Sequence, residues 1–337
     1  MKKINILLVG HGPRGKIWSK VMQKNTKVNL IGICDVNKSA KNKNFLKIPF
    51  FTKLENALLG IIPDAIILST PPFGRMKDLK LCAKYKLPVL VEKPLAVNFK
   101  EAEKLINYMS NKKLLLMVGL NFRYLPSTIE KIKLINSNKV GRPNFSKFIY
   151  ERWRDGKLKR LNKYPLFMKQ PMLWEQSIHH FDLIRFIYKS NIKKVFATTF
   201  NPPWSMYAHD TNVNALLELE NGMKVNYIGN WQSNCKSLNF EWRTDCTNGI
   251  IIQKKQFADL NYRTSKSSKF KKIKLKKFKM WSDDANLLLI DFIKKLSAKN
   301  SDKSFLSINK DHLNSLSVVD ACIKSSKTGK KINLNYY

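Results

Sequence analysis

INILLVGHGPRG, residues 4–15, decides how the chain begins: an apolar run of strand length enters three glycines and a proline, and a helical pattern follows over 16–24. Strand, glycine turn and helix in that order form a loop suited to phosphate. Gly10 permits the tight reversal, Gly12 lets backbone approach a pyrophosphate with no Cβ in the way, and Gly15 lets helix and strand pack closely. Pro13 suits the first helical turn, where its missing N–H leaves no bond unmade, and Arg14 belongs to the same loop. The next strand-like run, VNLIGIC, ends at Asp35, 20 residues after Gly15. An acid there binds the ribose hydroxyls of an adenosine and repels a 2′-phosphate, so NAD is favoured over NADP. Lys38 and Lys41 follow closely and keep NADP open.

The same alternation continues for about a hundred residues. Helical patterns over 54–59, 76–84 and 99–109 interleave with strand-like runs over 64–70, 88–94 and 113–121. Apolar strands alternating with helices predict a parallel sheet covered on both faces, which takes its ligand outside the carboxyl ends of the strands. Those ends carry Gly10, Asp35, Ser69-Thr70-Pro71, Glu92-Lys93-Pro94 and Asn121. The candidate cofactor residues are therefore Gly10, Gly12, Pro13, Arg14, Gly15, Asp35, Ser69, Thr70, Pro71, Glu92, Lys93 and Asn121.

Bulk properties narrow the class. A chain of 337 residues, 44% hydrophobic, supports two globular domains. Cysteines at 34, 82, 235, 246 and 322 form no C-x-x-C pair, which indicates a reducing compartment and argues against structural zinc. The first apolar run stops after six residues, too short for a signal sequence, and no stretch approaches 18 apolar residues, so a cytoplasmic protein with no membrane partner is expected. The formal charge of +38 invites a nucleic-acid reading, but only 266–279 is dense in lysine and no helix-turn-helix, zinc-finger or RNP-type spacing accompanies it. A solvated basic surface is the expectation, with no nucleic acid partner.

Residues 174–182, WEQSIHHFD, place two histidines beside two carboxylates in a helical pattern. On a regular helix Glu175, His179 and Asp182 share a face, while His180 lies about 100° away. That disfavours a two-histidine metal site, and no metal is expected. An acid-base role for His179 and a packed, hydrogen-bonded core histidine both remain open on this geometry.

VEKPLA at 91–96, GLNFRY at 119–124, WEQSIHHFDLIR at 174–185 and DACIKSSKTGKKI at 320–332 resemble, in order and spacing, the signatures of the glucose-fructose oxidoreductase, inositol dehydrogenase and rhizopine-catabolism (Gfo/Idh/MocA) family. The resemblance covers nearly the whole chain. It implies α/β architecture: an N-terminal Rossmann domain with a doubly wound parallel sheet at 1–121, then a C-terminal α/β substrate and oligomerisation domain at 122–310 with a large, mostly antiparallel open sheet. A closing helix and strand at 311–337 would pack back near the Rossmann domain. Strand-like runs over 145–153, 193–200, 214–220, 224–231, 239–245 and 249–253, with a hairpin signal at Asn221-Gly222, agree with the second domain.

For function the resemblance implies an NAD(P)-dependent oxidoreductase that moves a hydride between the nicotinamide and a hydroxyl-bearing carbon of a sugar, sugar nucleotide or cyclitol, phosphorylated or not. Carried over residue by residue, Lys93, Glu175 and His179 are the catalytic set: His179 accepts the proton, Lys93 hydrogen-bonds the reacting oxygen, and Glu175 holds the substrate or His179. Substrate contacts are expected from Lys93, Arg123, Trp153, Glu175 and His179. The family implies a homo-oligomer, dimer or tetramer. Glu175 stands where many members have aspartate, Ser177 and Lys86 where they have glycine, and Arg75 where they have histidine. Arg154 and Lys157, with Trp153, fall where the family places substrate loops, and Trp204 and Tyr207, after Pro202-Pro203, either cap a cleft or line a sheet interface. Two alternatives stay in view: transient oxidation that drives glycoside cleavage or epimerisation, and a non-catalytic sensor retaining the fold.

Overall fold

Strand β1 (Ile4–Val9) carries the chain from half-buried Ile4 into fully buried Leu7 and Leu8. Around it assemble β2 (Val28–Cys34), β3 (Phe50–Phe51), β4 (Ala65–Leu68), β5 (Val89–Val91) and β6 (Leu116–Val118), in the order β3-β2-β1-β4-β5-β6. Every pairing in this sheet is parallel. Helices α1 (Pro13–Lys24), α2 (Leu54–Gly60), α3 (Arg75–Lys84) and α4 (Phe99–Asn111) make the crossovers. The strand order reverses between β1 and β4, the place where a doubly wound sheet opens a ligand crevice. Two-residue β3 carries no period of its own, and the sequence pattern did not reveal it.

The computed structural model describes residues 3–41, 47–159, 161–234, 238–297 and 302–336, so Cys235 lies outside the described residues. Two units emerge, Met1–Asn121 with Lys279–Leu313 and Phe122–Phe278 with Asn314–Tyr337. This division differs from the boundaries read from the sequence. Helix α7 (Asp283–Ser297), placed with the second domain on sequence, groups with the first: Leu288, Leu289, Phe292 and Ile293 are buried, and Asn25 on the chain after α1 donates to Asn286 at 2.7 Å. The closing strand, expected near the Rossmann domain, instead joins the second sheet.

That second sheet has nine strands: β7 (Pro143–Glu151), β8 (Ile192–Phe200), β9 (Asn212–Leu219), β10 (Lys224–Asn230), β11 (Asn239–Cys246), β12 (Gly249–Gln253), β13 (Asn261–Thr264), β14 (Lys271–Lys272) and β15 (Ile332–Asn333). All pairings are antiparallel except β7 with β10. Alternation buries Phe148, Tyr150, Tyr227, Phe240 and Trp242 on one face. On that face α6 (Ile178–Tyr188) lies with Phe181 against Tyr227 at 4.8 Å, and Trp242 donates to the Tyr188 hydroxyl at 3.0 Å. Helix α5 (Pro126–Asn136) packs beside α6, and the long helix α8 (Asp302–Thr328) precedes β15.

One residue in this core is costly. Lys131 on α5 is fully buried with its ammonium nitrogen 3.4 Å from the Trp242 ring centroid and no hydrogen-bond partner for Nζ. Burial holds its pKa well below the ordinary value of 10.5. The unfolded chain therefore binds a proton that the folded chain resists, so stability rises as pH climbs from the depressed folded value towards 10.5 and stays at its lower level below that folded value. Lys131→Met should raise Tm by about 3 °C or more at pH 7, since 1 kcal/mol is worth roughly 2–4 °C in a domain of this size. The gain should shrink by pH 10; a thermal-melt series over that range tests both points.

Candidate active site

In the first unit the glycine loop is fixed by contact distances. Gly10 has φ +88°, and a Cβ on it would sit 2.9 Å from the backbone of Ser69 and Thr70. A Cβ on Gly15 would lie 2.1 Å from the Gly10 carbonyl oxygen, so only glycine lets α1 start this close to β1. Gly12, the residue before α1, has nothing within 4 Å of its Cβ position, and no side chain caps the helix start. Pro13 occupies the first helical turn. Backbone N–H groups at an open, uncapped helix start suit a pyrophosphate.

Asp35 follows β2 and turns back on this loop. Its Oδ2 accepts from the His11 amide at 2.6 Å and its Oδ1 from the Asn37 amide at 2.8 Å, with the side chain half-buried. His11, a variable position of the motif, is fully buried: Nδ1 meets the Ala40 carbonyl at 2.8 Å and Nε2 meets Ser19 Oγ at 3.1 Å. Nothing in the sequence marked His11 as the strut of this loop. Ser69 likewise braces the loop, its hydroxyl donating to the Gly10 carbonyl at 2.6 Å. Thr70 Oγ1 is buried without a hydrogen-bond partner.

Glu92 and Arg14 are tied to each other. Glu92 Oε1 accepts from Arg14 Nε at 2.6 Å and from Trp18 Nε1 at 2.7 Å. The Arg14 guanidinium lies 5.5 Å from the Trp18 ring and 5.7 Å from the Trp281 ring, and its Nη1 has no hydrogen-bond partner. Asn121 donates through Nδ2 to Asp284 at the start of α7. Lys93 is half-buried beside a cis peptide to Pro94. The turn around it is organised by Arg75, fully buried, which donates to the carbonyls of Thr70 at 2.7 Å, Glu92 at 2.8 Å, Pro94 at 2.5 Å and Leu95 at 3.0 Å. Pro71 follows Thr70 on the same stretch. Trp281 and Asp284 were not found from sequence; their only signal was an acidic pair opening a helix after a lysine tract.

The second unit holds the histidine motif, and its backbone departs from a regular helix. Leu173–Ser177 is a π-helix that passes into α6 at Ile178. The assumed i, i+4 relation of Glu175 and His179 therefore does not apply across a uniform α-helix, and each side chain finds its own partner. Glu175 Oε1 accepts from the Tyr164 hydroxyl. His179, 3% exposed, stacks on Phe122 with centroids 4.2 Å apart and planes 19° apart. Asp182, expected on the His179 face, is gripped by Arg123 through Nε at 2.7 Å and Nη2 at 2.5 Å, and Ser315 donates to it at 3.2 Å. Arg123, read as a substrate contact, thus has its fork on a buried carboxylate and lies 4.8 Å over the Phe186 ring.

His180 belongs to the core. Gln176 Oε1 faces the Tyr150 hydroxyl at 3.5 Å, which turns its Nε2 to donate to His180 Nε2 at 3.1 Å; His180 Nδ1 then donates to Tyr227 at 2.8 Å, and Tyr227 to Ser177 Oγ at 2.8 Å. Burial pulls the His180 pKa down to about 3. Trp153, half-buried, forms an isolated antiparallel bridge with Gln232. Arg154 lies 3.9 Å over the Trp231 ring and donates to Tyr207 at 3.2 Å, while Lys157 is exposed. Trp204, 48% exposed, donates to the Gln232 carbonyl at 3.0 Å. Among the described residues no group of three His, Cys, Asp or Glu side chains could hold a metal, and no helix is long and apolar enough to cross a membrane.

Family profiles match both halves: "Oxidoreductase family, NAD-binding Rossmann fold" over residues 4–120 and "GFO/IDH/MocA C-terminal domain" over 131–252. A myo-inositol 2-dehydrogenase of Thermotoga maritima is 24% identical over 40% of this chain and 39% of its own length. Six curated relatives are matched over between 38% and 64% of their lengths. An oxidoreductase from Agrobacterium radiobacter in complex with NAD+, L-tartaric acid and magnesium superposes with TM-score 0.86 at 16% identity, covering 98% of both chains. An inositol dehydrogenase homologue from Azotobacter vinelandii complexed with NADH and myo-inositol superposes with TM-score 0.82 at 13% identity, covering 99% and 98%. At these identities the structural likeness establishes the fold.

The two glycines should separate binding from folding. Gly15→Ala forces backbone apart and should lower Tm sharply, whereas Gly12→Val meets open space, should change stability by less than about 0.5 kcal/mol, and should weaken NADH by about tenfold or more. Melts and calorimetry on both variants check this; a Gly12→Val protein with native NADH affinity would remove the loop from the cofactor site.

Proposed function

We propose that this chain, which belongs to the Gfo/Idh/MocA oxidoreductase family, is an NAD-dependent dehydrogenase acting on a secondary hydroxyl of a sugar, sugar nucleotide or cyclitol. The observation that carries the reading is Asp35 bonded to the His11 amide at 2.6 Å, a carboxylate held against a glycine loop whose Gly12 side is open. That pairing recognises an adenosine ribose and disfavours a 2′-phosphate. The unpartnered Thr70 Oγ1 and Arg14 Nη1 fit the same ligand, as polar atoms that a dinucleotide would satisfy. The inositol and NADH named for the Azotobacter vinelandii protein are consistent with the substrate class.

Bound NAD+ supplies the hydride acceptor. In this reading the imidazole of His179 takes the hydroxyl proton as the C–H bond gives up its hydride, and Lys93 hydrogen-bonds the oxygen that becomes a carbonyl. Phe122 fixes the His179 ring by stacking, and the Tyr164 hydroxyl fixes Glu175, which holds a substrate hydroxyl. Trp153, on the bridge to Gln232, contributes an apolar face for the ring of the substrate. Arg123 serves the substrate indirectly by anchoring Asp182 and so the turn of α6 that carries His179. Arg75 sets the Lys93 turn through four carbonyls.

A screen of polyols and sugar nucleotides with NAD+, read at 340 nm, identifies the substrate. On it, His179→Ala should lower kcat roughly 100-fold with the fold intact; a loss within about threefold would sink the general-base assignment. Asp35→Ser should relax the preference for NADH over NADPH in calorimetric titrations, and an unchanged ratio would remove Asp35 from cofactor selection.

A further inference from the structure

Helix α7 brings a buried carboxylate to Asn121 in the first unit. Asp284 lies in the first turn of α7 with no exposed surface, and the next turns bury Ala285, Leu288 and Leu289, so the helix cannot swing away to hydrate it. Its Oδ2 accepts from Asn121 Nδ2, while its Oδ1 is buried without a hydrogen-bond partner. Burial raises the carboxyl's pKa, with the Asn121 hydrogen bond and the nearby Arg14 charge opposing that rise. A lone helix-start acid needs none of this burial to interact with the helix dipole, which favours exposed acids as well. The turn that delivers it is itself constrained. Trp281 holds a left-handed φ of +68°, and Asp283 Oδ2 accepts from the Lys279 amide at 2.8 Å. Three buried polar atoms of this unit, Arg14 Nη1, Thr70 Oγ1 and Asp284 Oδ1, lack partners, where buried groups ordinarily have them.

The chemistry of the contact is directional. A carboxylate accepts and an asparagine amide has one donating and one accepting end, so Asp284 selects which end of Asn121 it faces. With Nδ2 committed to Asp284, Oδ1 must point elsewhere. We propose that Asp284 is a cofactor-positioning residue acting through Asn121: by holding Nδ2 it presents Asn121 Oδ1 as an acceptor for the carboxamide N–H of the nicotinamide. Asp284 thereby fixes the rotation of the nicotinamide ring and the face it offers to substrate. This rests on the cofactor reading above, and it assigns a role to a side chain more than 160 residues downstream in the chain.

The test uses the full chain and three ligands. NAD+, 3-acetylpyridine adenine dinucleotide, in which a methyl replaces the amide NH2, and ADP-ribose, which has no nicotinamide, are titrated into the wild type, Asp284→Ala and Asp284→Leu. The wild type should bind NAD+ about tenfold tighter than the acetylpyridine analogue, the worth of one hydrogen bond. Both variants should lose that preference while holding ADP-ribose within about twofold of wild type. Asp284→Ala removes the acceptor from Asn121 Nδ2 without adding bulk, so it carries the test if Asp284→Leu does not fold. A purely structural role would weaken all three ligands together or none. Preference for NAD+ retained in a folded Asp284 variant, or absent from the wild type, overturns the proposal; a wild type that binds neither NAD+ nor ADP-ribose overturns the cofactor reading beneath it.

Discussion

A carbonyl oxygen stands 2.1 Å from where a Cβ of Gly15 would be, and the rest of the first unit is arranged around that closeness. With α1 pressed onto the end of β1, Ser69 reaches the Gly10 carbonyl from β4, and the Asp35 carboxylate reaches the His11 amide from β2. Three strands thus meet at one loop through a carbonyl, a hydroxyl and a carboxylate. The reversal of strand order between β1 and β4 leaves the crevice, and the glycines make it shallow enough for backbone N–H groups to face a ligand directly.

Next to the loop, two arginines do different work. Arg75 is buried and answers four carbonyls, which satisfies a turn whose polar backbone would otherwise be stranded. A histidine in that position has two ring nitrogens and cannot reach four acceptors, so the arginine found here is a distinct solution and not a conservative swap. Arg14 faces one carboxylate and two indole rings, leaving Nη1 without a partner. The first arginine stiffens the turn that carries Lys93; the second keeps donor capacity in reserve at the loop.

The parallel sheet was legible because each strand is a short apolar run with a glycine, proline or polar stop, and in the second sheet β12 coincided with its predicted run of five residues. Most of the second sheet was legible too, since the residues that become buried, among them Phe148, Tyr150 and Tyr227, fall at every second position of β7 and β10. What escaped depended on distance in sequence or on irregular backbone. Residues β3, β13 and β14 contribute are too few to show a period. The α7 helix was found, but its unit was not, because amphipathic spacing says which face is buried and not against what. Likewise Asp284 and Trp281 are joined to Asn121 and Arg14 across most of the chain, and no local rule connects them.

The adjacent histidines show how one backbone feature sorts neighbouring side chains. A regular helix already separates positions 179 and 180 by about 100°. The π-turn over Leu173–Ser177 then resets the register of everything before Ile178: Gln176 reaches His180 directly and Ser177 reaches it through Tyr227, while Glu175 turns to Tyr164. His180 is thereby saturated by neutral partners and held uncharged by burial, with a pKa of about 3. His179 is instead stacked on an aromatic ring, a contact that fixes the orientation of the imidazole. Because the widened turn lies N-terminal to both residues, the residues from Leu173 onwards find their partners without distorting α6, where Asp182 remains locked to Arg123. Two neighbouring histidines are thus held by different means, His180 by a hydrogen-bonded chain through the core and His179 by the stack on Phe122.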